Sequence, residues 1–164
     1  MKRPLSTLLL GGLLACGAPT PLSAASPVLD PGRPPGGNFD LSHWYLTLPD
    51  EDATAISTAD LLAGYTHPAW FYTGLDGAMV FWCPVNGGTT DNSSFPRSEL
   101  RELLSPPDVE VNWSGAGTHR LRAQCKVTQV PSSGKVIIGQ IHSKTGSARP
   151  LLKLLYNGGA IEAL

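Results

Sequence analysis

The sequence predicts an all-β protein built from short strands, and three observations carry that expectation. Glycine and proline are both abundant, 18 and 15 of 164 residues, which favours frequent turns over long helices. Apolar residues recur at intervals of two in several separate stretches, the periodicity of a half-buried strand. Only one stretch, Ser57 to Ala63, carries helix signals, with Ser57 or Thr58 as cap and Gly64 as stop. A chain of this length with 15% charged residues can bury one core, so a single folded domain is expected.

The elements follow in order. From Asn38 onward, Phe39, Leu41, Trp44, Leu46 and Leu48 lie mostly two apart and end at Pro49, which predicts a first strand. Ala78 to Cys83 is an apolar run between Asp76-Gly77 and Pro84 and predicts a buried strand, followed by a Gly, Thr, Asn and Ser-rich loop from Val85 to Ser94. Phe95 to Glu102 predicts a charged strand, and Pro106 and Pro107 mark the next loop. Thr118 to Val130 alternates around Leu121, Ala123, Cys125 and Val127 and predicts another strand, closed by a turn at Pro131-Ser132-Ser133-Gly134. Lys135 to His142 predicts a strand, and Leu151 to Tyr156 with Ala160 to Leu164 predict a hairpin turning at Asn157-Gly158-Gly159. The sequence shows neither an internal repeat nor a coiled-coil heptad.

Residues 1–25 read as an export signal. Lys2 and Arg3 precede an apolar stretch from Leu8 to Ala15 that is too short to span a bilayer. Leu13-Leu14-Ala15-Cys16 resembles a bacterial lipoprotein box, with Cys16 as the lipidated residue, whereas Ser23-Ala24-Ala25 offers a conventional cleavage site. The chain is therefore expected to be exported, either lipid-anchored at a bacterial membrane or secreted. Residues 26–37 are a Pro/Gly-rich linker, and residues 38–164 form the domain. Export leaves Cys83 and Cys125 in a compartment that permits a disulfide between them; two buried free thiols fit equally well.

Without Lys2 and Arg3, ten basic residues face thirteen acidic ones, a net charge of −3. That balance excludes general nucleic-acid binding, which needs a broadly positive surface. An acidic polymer would have to be held by a local basic groove. No Cys/His cluster has metal-ligand spacing.

Two strands carry the chemistry. In Arg97-Ser98-Glu99-Leu100-Arg101, strand alternation sends Arg97, Glu99 and Arg101 to one face and Ser98 and Leu100 to the other. Two guanidiniums flanking one carboxylate can grip a carboxylate-bearing polymer, because each offers paired donors while the glutamate fixes their orientation. In Val136 to His142 the same alternation places Gln140 and His142 on one face and turns Ile137 and Ile141 to the core. An amide that donates to an acid group beside an imidazole that takes a proton suits proton abstraction next to a carboxylate. Taken alone, each motif also fits a solvated strand face.

Together these residues resemble polysaccharide lyase family seven, the alginate lyases. That family carries an R-[ST]-E-[LV]-R strand, a Q-[IV]-H strand and, later, a Y-x-K-x-G-x-Y-x-Q strand on the concave face of a jelly-roll β-sandwich. Arg97 to Arg101 and Gln140 to His142 match the first two in the same order and at comparable spacing. Asn38 to Trp44, Leu46 to Pro49 and Val80 to Pro84 extend the likeness, which runs from about Asn38 to the end.

The resemblance implies cleavage of alginate or a related polyuronate by β-elimination, without cofactor or metal, by a monomer. It implies that Arg97 and Gln140 neutralise the uronate carboxyl group, that His142 acts as base or assists it, and that Glu99 and Arg101 position substrate. The third motif has no match before Leu164, and Tyr156 precedes the hairpin turn and does not replace its tyrosine, the family's proton donor to the leaving oxygen. The expectation is thus an incomplete jelly roll, with a non-catalytic acidic-polysaccharide-binding module or an inactive truncated relic as the alternatives. His43 and His67 are expected to be structural or solvated. His119, Arg120 and Arg122 are either a basic rim or a solvated strand.

Overall fold

The computed structural model describes residues 28–91, 93–109, 111–120, 122–143 and 150–164. Cys16 and the export segment lie outside the described residues. Eight strands and two short helices are present among the described residues: α1 (Pro35–Asn38), β1 (Trp44–Thr47), β2 (Ala55–Ile56), α2 (Thr58–Leu62), β3 (Phe71–Thr73), β4 (Met79–Phe81), β5 (Glu99–Glu102), β6 (Lys135–Ile141), β7 (Leu152–Asn157) and β8 (Ala160–Ala163). They form three antiparallel sheets with strand orders β2-β1-β5, β3-β4 and β6-β7-β8.

The core lies on one side of the first sheet. Leu41, Leu46, Leu48, Leu61 and Phe71 are buried together, with Trp44, Ile56, Met79 and Leu100 packed against them. Burying each Leu or Phe contributes about 1.5–3 kcal/mol. The spacing of Leu46 and Leu48 places both inward as expected, but the strand is shorter than its pattern. Residues before Trp44 bend instead: the Asp40 carboxylate accepts from the Ser42 amide (3.0 Å), and the Trp44 amide bonds the Leu41 carbonyl (3.1 Å). A side chain that satisfies its own backbone competes with strand pairing there.

Helix α2 forms where its cap signals place it. Ser57 Oγ accepts from the Asp60 amide (3.2 Å) and donates to the Asp60 carboxylate (2.6 Å), and Gly64 takes a φ of 96° just past the end. The β7–β8 hairpin turns through Gly158 and Gly159, both at positive φ (55° and 104°), as a two-residue primed turn requires.

Three expectations change. The run Ala78 to Cys83 is not buried: β4 pairs only with β3, and Phe81 and Trp82 remain about 40% exposed (41% and 40%). A two-stranded ribbon covered on one face leaves its other face in solvent. Thr118 to Val130 contains no strand among its described residues, because alternation supplies a face but not a hydrogen-bonding neighbour. The linker is docked from Asp30 on: Asn38 Nδ2 donates to the carbonyls of Asp30 (2.8 Å) and Gly77 (3.3 Å), and Pro35 is buried.

Candidate active site

Glu99 and Arg101 leave β5 on the face away from the core. The ladder pairs Leu46 with Leu100 on the core side, and therefore Thr47 with Glu99 and Tyr45 with Arg101 on the other. Arg97 precedes the strand. The loop that delivers it is seated on the end of β1 by two glycines: a Cβ at Gly87 would fall 2.6 Å from the Pro49 carbonyl oxygen, and one at Gly88 1.9 Å from that of Asp50. Ser98 Oγ anchors the same segment to the Trp70 carbonyl (2.9 Å).

The Arg97 side chain is fixed at both tips. Nη2 donates to Ser93 Oγ at 2.6 Å, and Nη1 faces Glu99 Oε1 at 3.7 Å. Its Nε–H is screened from solvent and has no acceptor among the described residues; such an orphaned donor costs about 1–3 kcal/mol. A carboxylate brought into the guanidinium fork would satisfy it.

Glu99 also reaches the third sheet, accepting from Gln140 Nε2 at 2.8 Å. Ser93, Arg97, Glu99 and Gln140 thus form one continuous polar row joining two sheets. The amide nitrogen of Gln140 keeps a second N–H, since only one of its two is used by Glu99.

The geometry corrects the expected strand faces of β6. The ladder with β7 skips from Ile137 opposite Leu155 to Gly139 opposite Leu154, so Ile138 is a bulge. Beyond the bulge the alternation inverts. Ile137 and Gln140 project to one side with Leu155 and Lys153, and Val136 and Ile141 to the other with Tyr156 and Leu152. Ile137 therefore does not share a core face with Ile141, and it is 41% exposed.

His142 lies one residue past β6 and is exposed. Its Nδ1 is hydrogen-bonded to the Ser143 carbonyl. A carbonyl only accepts, so Nδ1 carries a proton, and in the neutral ring Nε2 is the free nitrogen. No bond joins His142 to Arg97 or Gln140 among the described residues. Arg101 is half-buried and makes no ion pair among them. Tyr156 projects to the side opposite Gln140, so it does not join the row.

The other residues singled out in the sequence fall elsewhere. His119, Arg120 and Arg122 line a cleft of about 370 Å³ together with Gln140, Ile141, Leu152 and Leu154. His43 Nδ1 bonds the Leu103 carbonyl (3.1 Å), and His67 Nδ1 accepts from the amides of Ala69 and Trp70 (both 3.2 Å) while stacking on the Trp70 ring. Cys83 and Cys125 are free and exposed, so neither the disulfide nor the pair of buried thiols is present. Although Cys83 is exposed as a residue, partial desolvation of its sulfur pushes the thiol up from its ordinary value, opposed by the Ser98 backbone amide and the charge of Arg97. No group of three or more His, Cys, Asp or Glu side chains able to hold a metal occurs among the described residues.

Ser93 and Lys153 are additions to the residues legible in sequence. Ser93 belongs to a loop whose composition says only that it turns. Lys153 becomes a neighbour of Gln140 only through the ladder register.

The chain is similar to known proteins. The alginate lyase family pattern matches residues 39–163. An alginate lyase of Klebsiella pneumoniae is 33% identical over 141 residues, covering 66% of this chain and 46% of the relative. The crystal structure of alginate lyase A1-II', a member of polysaccharide lyase family-7, superposes with a TM-score of 0.65 at 48% identity, covering 75% of this chain and 55% of that one. A substituted form of A1-II' in complex with substrate (GGMG) gives a TM-score of 0.67 at 47% identity, covering 77% and 55%. Alginate lyase PA1167 from Pseudomonas aeruginosa gives 0.58 at 38% identity, covering 77% and 65%. The chain spans about half the length of the Klebsiella relative and of A1-II'. These likenesses assign the sheets to a jelly-roll β-sandwich. With a family match across most of its length and the Arg97, Glu99 and Gln140 row in place, the chain belongs to the alginate lyase family.

Proposed function

We propose that this protein cleaves alginate by β-elimination, and that the row Arg97–Glu99–Gln140 is the part of its site that handles the uronate carboxylate. The observation that carries this reading is the double engagement of Glu99, which faces Arg97 at 3.7 Å and accepts from Gln140 at 2.8 Å. One carboxylate thereby orients a guanidinium and an amide from two different sheets.

The proton at C5 of a uronate is too weakly acidic for an unaided side chain. Removing it requires that the charge developing on the adjacent carboxyl group be met by fixed donors. Arg97 supplies the positive charge, and its Nε–H lacks any other acceptor among the described residues. Gln140 supplies the free N–H of its amide. Glu99 keeps both groups oriented before substrate arrives, so little reorganisation accompanies the reaction. In its neutral form His142, with Nδ1–H on the Ser143 carbonyl, takes the C5 proton at Nε2. The electron pair then forms the C4=C5 double bond as the C4–O bond breaks, and the departing oxygen must receive a proton. Tyr156 faces away from the row, so that proton comes from solvent water.

That position of Tyr156 favours one second reading, an acidic-polysaccharide-binding module that holds alginate without cutting it. Incubation with alginate separates the two. A rise in the ultraviolet absorbance of the new double bond supports the lyase; retention on immobilised alginate with no rise supports the module. A folded protein that shows neither contradicts both. Export is proposed on Lys2, Arg3 and the apolar stretch that follows them. Cell fractionation of a Cys16→Ser variant tests the lipidated form, which loses its membrane fraction if Cys16 carries the anchor.

A further inference from the structure

The ladder register of the third sheet brings one more cation to the face that carries Gln140. Lys153 lies directly opposite Gln140 in the β6–β7 pairing, and paired residues of an antiparallel ladder project to the same side, with Cα atoms about 4.5–5.5 Å apart. On its other flank, Lys153 exchanges two backbone hydrogen bonds with Leu164, at 3.0 and 2.9 Å. The point at which the side chain leaves the sheet is therefore held from both neighbours.

No carboxylate forms an ion pair with this lysine among the described residues. Lys153 is half-buried, with Leu151 and Leu155 beside it on the same face of its own strand. Its apolar stem can rest on them while the ammonium points outward. The one ion pair among the described residues is Arg97 with Glu99. Glu162, on the same face of β8, is instead engaged by Asn157 Nδ2 at 2.8 Å. Read across the strands, the row runs Arg97, Glu99, Gln140, Lys153. Glu99 offsets the charge of Arg97, whereas Lys153 has no such ion-pair partner among the described residues.

A polyuronate carries a carboxylate on every sugar. A chain that places one of them between Arg97 and Gln140 brings the next to a neighbouring position on the same face. We infer that Lys153 binds the carboxylate of the uronate adjacent to the one held by Arg97 and Gln140, and so selects oligomers over single sugars. This inference rests on the alginate reading above. Lys153 is a binding residue outside the proton transfer itself, and its contribution is a point charge that an arginine can also supply.

The test is isothermal titration of the protein with a uronate tetramer from alginate, in a His142→Ala background so that the ligand survives. Lys153→Met is expected to weaken tetramer binding about tenfold, the size of one charge-assisted contact at a half-exposed cation. Lys153→Arg is expected to stay within about threefold, because the charge is kept. The circular dichroism and melting temperature of Lys153→Met should match those of the parent. Tetramer binding by Lys153→Met equal to that of the parent overturns this inference and leaves the alginate reading standing. A Lys153→Arg loss as large as that of Lys153→Met also overturns it, since charge would not then be what is recognised. A folded parent that binds no tetramer overturns both.

Discussion

At the scale of single residues, the site depends on Arg97. It is held by Ser93 at one tip and faces Glu99 at the other, with its third nitrogen screened and unpartnered among the described residues. Lysine has one point charge and no planar fork, so Arg97→Lys is expected to lower kcat/KM on alginate by on the order of 10²–10³, the loss typical of removing a preorganised donor at a developing anion. Steady-state kinetics checks this. A second prediction concerns the adjacent Cys83, whose thiol is pushed up by burial. Less of it is thiolate at a given pH than for an ordinary cysteine. Alkylation should therefore be slower than that of a free thiol below its raised value, and should accelerate as pH rises through it. Mass spectrometry of the Cys83 peptide after timed iodoacetamide treatment gives the rates. Arg97, Glu99 and Gln140 were legible as polar residues of strand-like motifs, because alternation alone puts the first two on one face. Ser93 was not, since nothing in a Gly, Thr, Asn and Ser-rich loop says which hydroxyl will meet a guanidinium.

At the scale of elements, the bulge at Ile138 is the feature that aims the site. Two apolar residues in succession, Ile137 and Ile138, give no sign of which one will be unpaired, so simple alternation assigned Ile137 to the wrong face. Deleting Ile138 removes the unpaired residue and leaves the remaining pairs as they are, with Gln140 still opposite Lys153. The expected result is a protein that keeps both its β-sheet circular dichroism and its alginate affinity; equilibrium binding beside the spectrum decides it. The loop before Arg97 depends on Gly88, where an added Cβ would meet the Asp50 carbonyl oxygen at 1.9 Å. Gly88→Ala forces that backbone apart and is expected to cost about 1–3 kcal/mol, measurable as a fall in denaturant midpoint. The helix α2 and the β7–β8 hairpin were legible because caps and Gly-Gly turns are local signals. That Thr118 to Val130 would hold no strand among its described residues was not, because pairing depends on a partner that periodicity cannot reveal.

At the scale of the whole molecule, a small core of Leu41, Leu46, Leu48, Leu61 and Phe71 supports one sheet, and the polar row ties that sheet to the next. Leu46 is fully buried, so Leu46→Ala is expected to destabilise by about 2–5 kcal/mol, read by chemical denaturation. The sequence motifs pointed to the fold through family likeness more than through pattern: composition established only that the protein is rich in turns and strands. Charge balance excluded one class of partner without naming another. What joins the levels is the claim that Arg97, Glu99 and Gln140, brought together from separate sheets, hold a uronate carboxylate for elimination. The most direct measurement is the ultraviolet absorbance of alginate incubated with the full-length, folded protein and with its Arg97→Ala variant. A rise from the formed C4=C5 double bond is expected, and it disappears in the variant; no rise from the folded protein, or an equal rise from Arg97→Ala, would overturn this assignment.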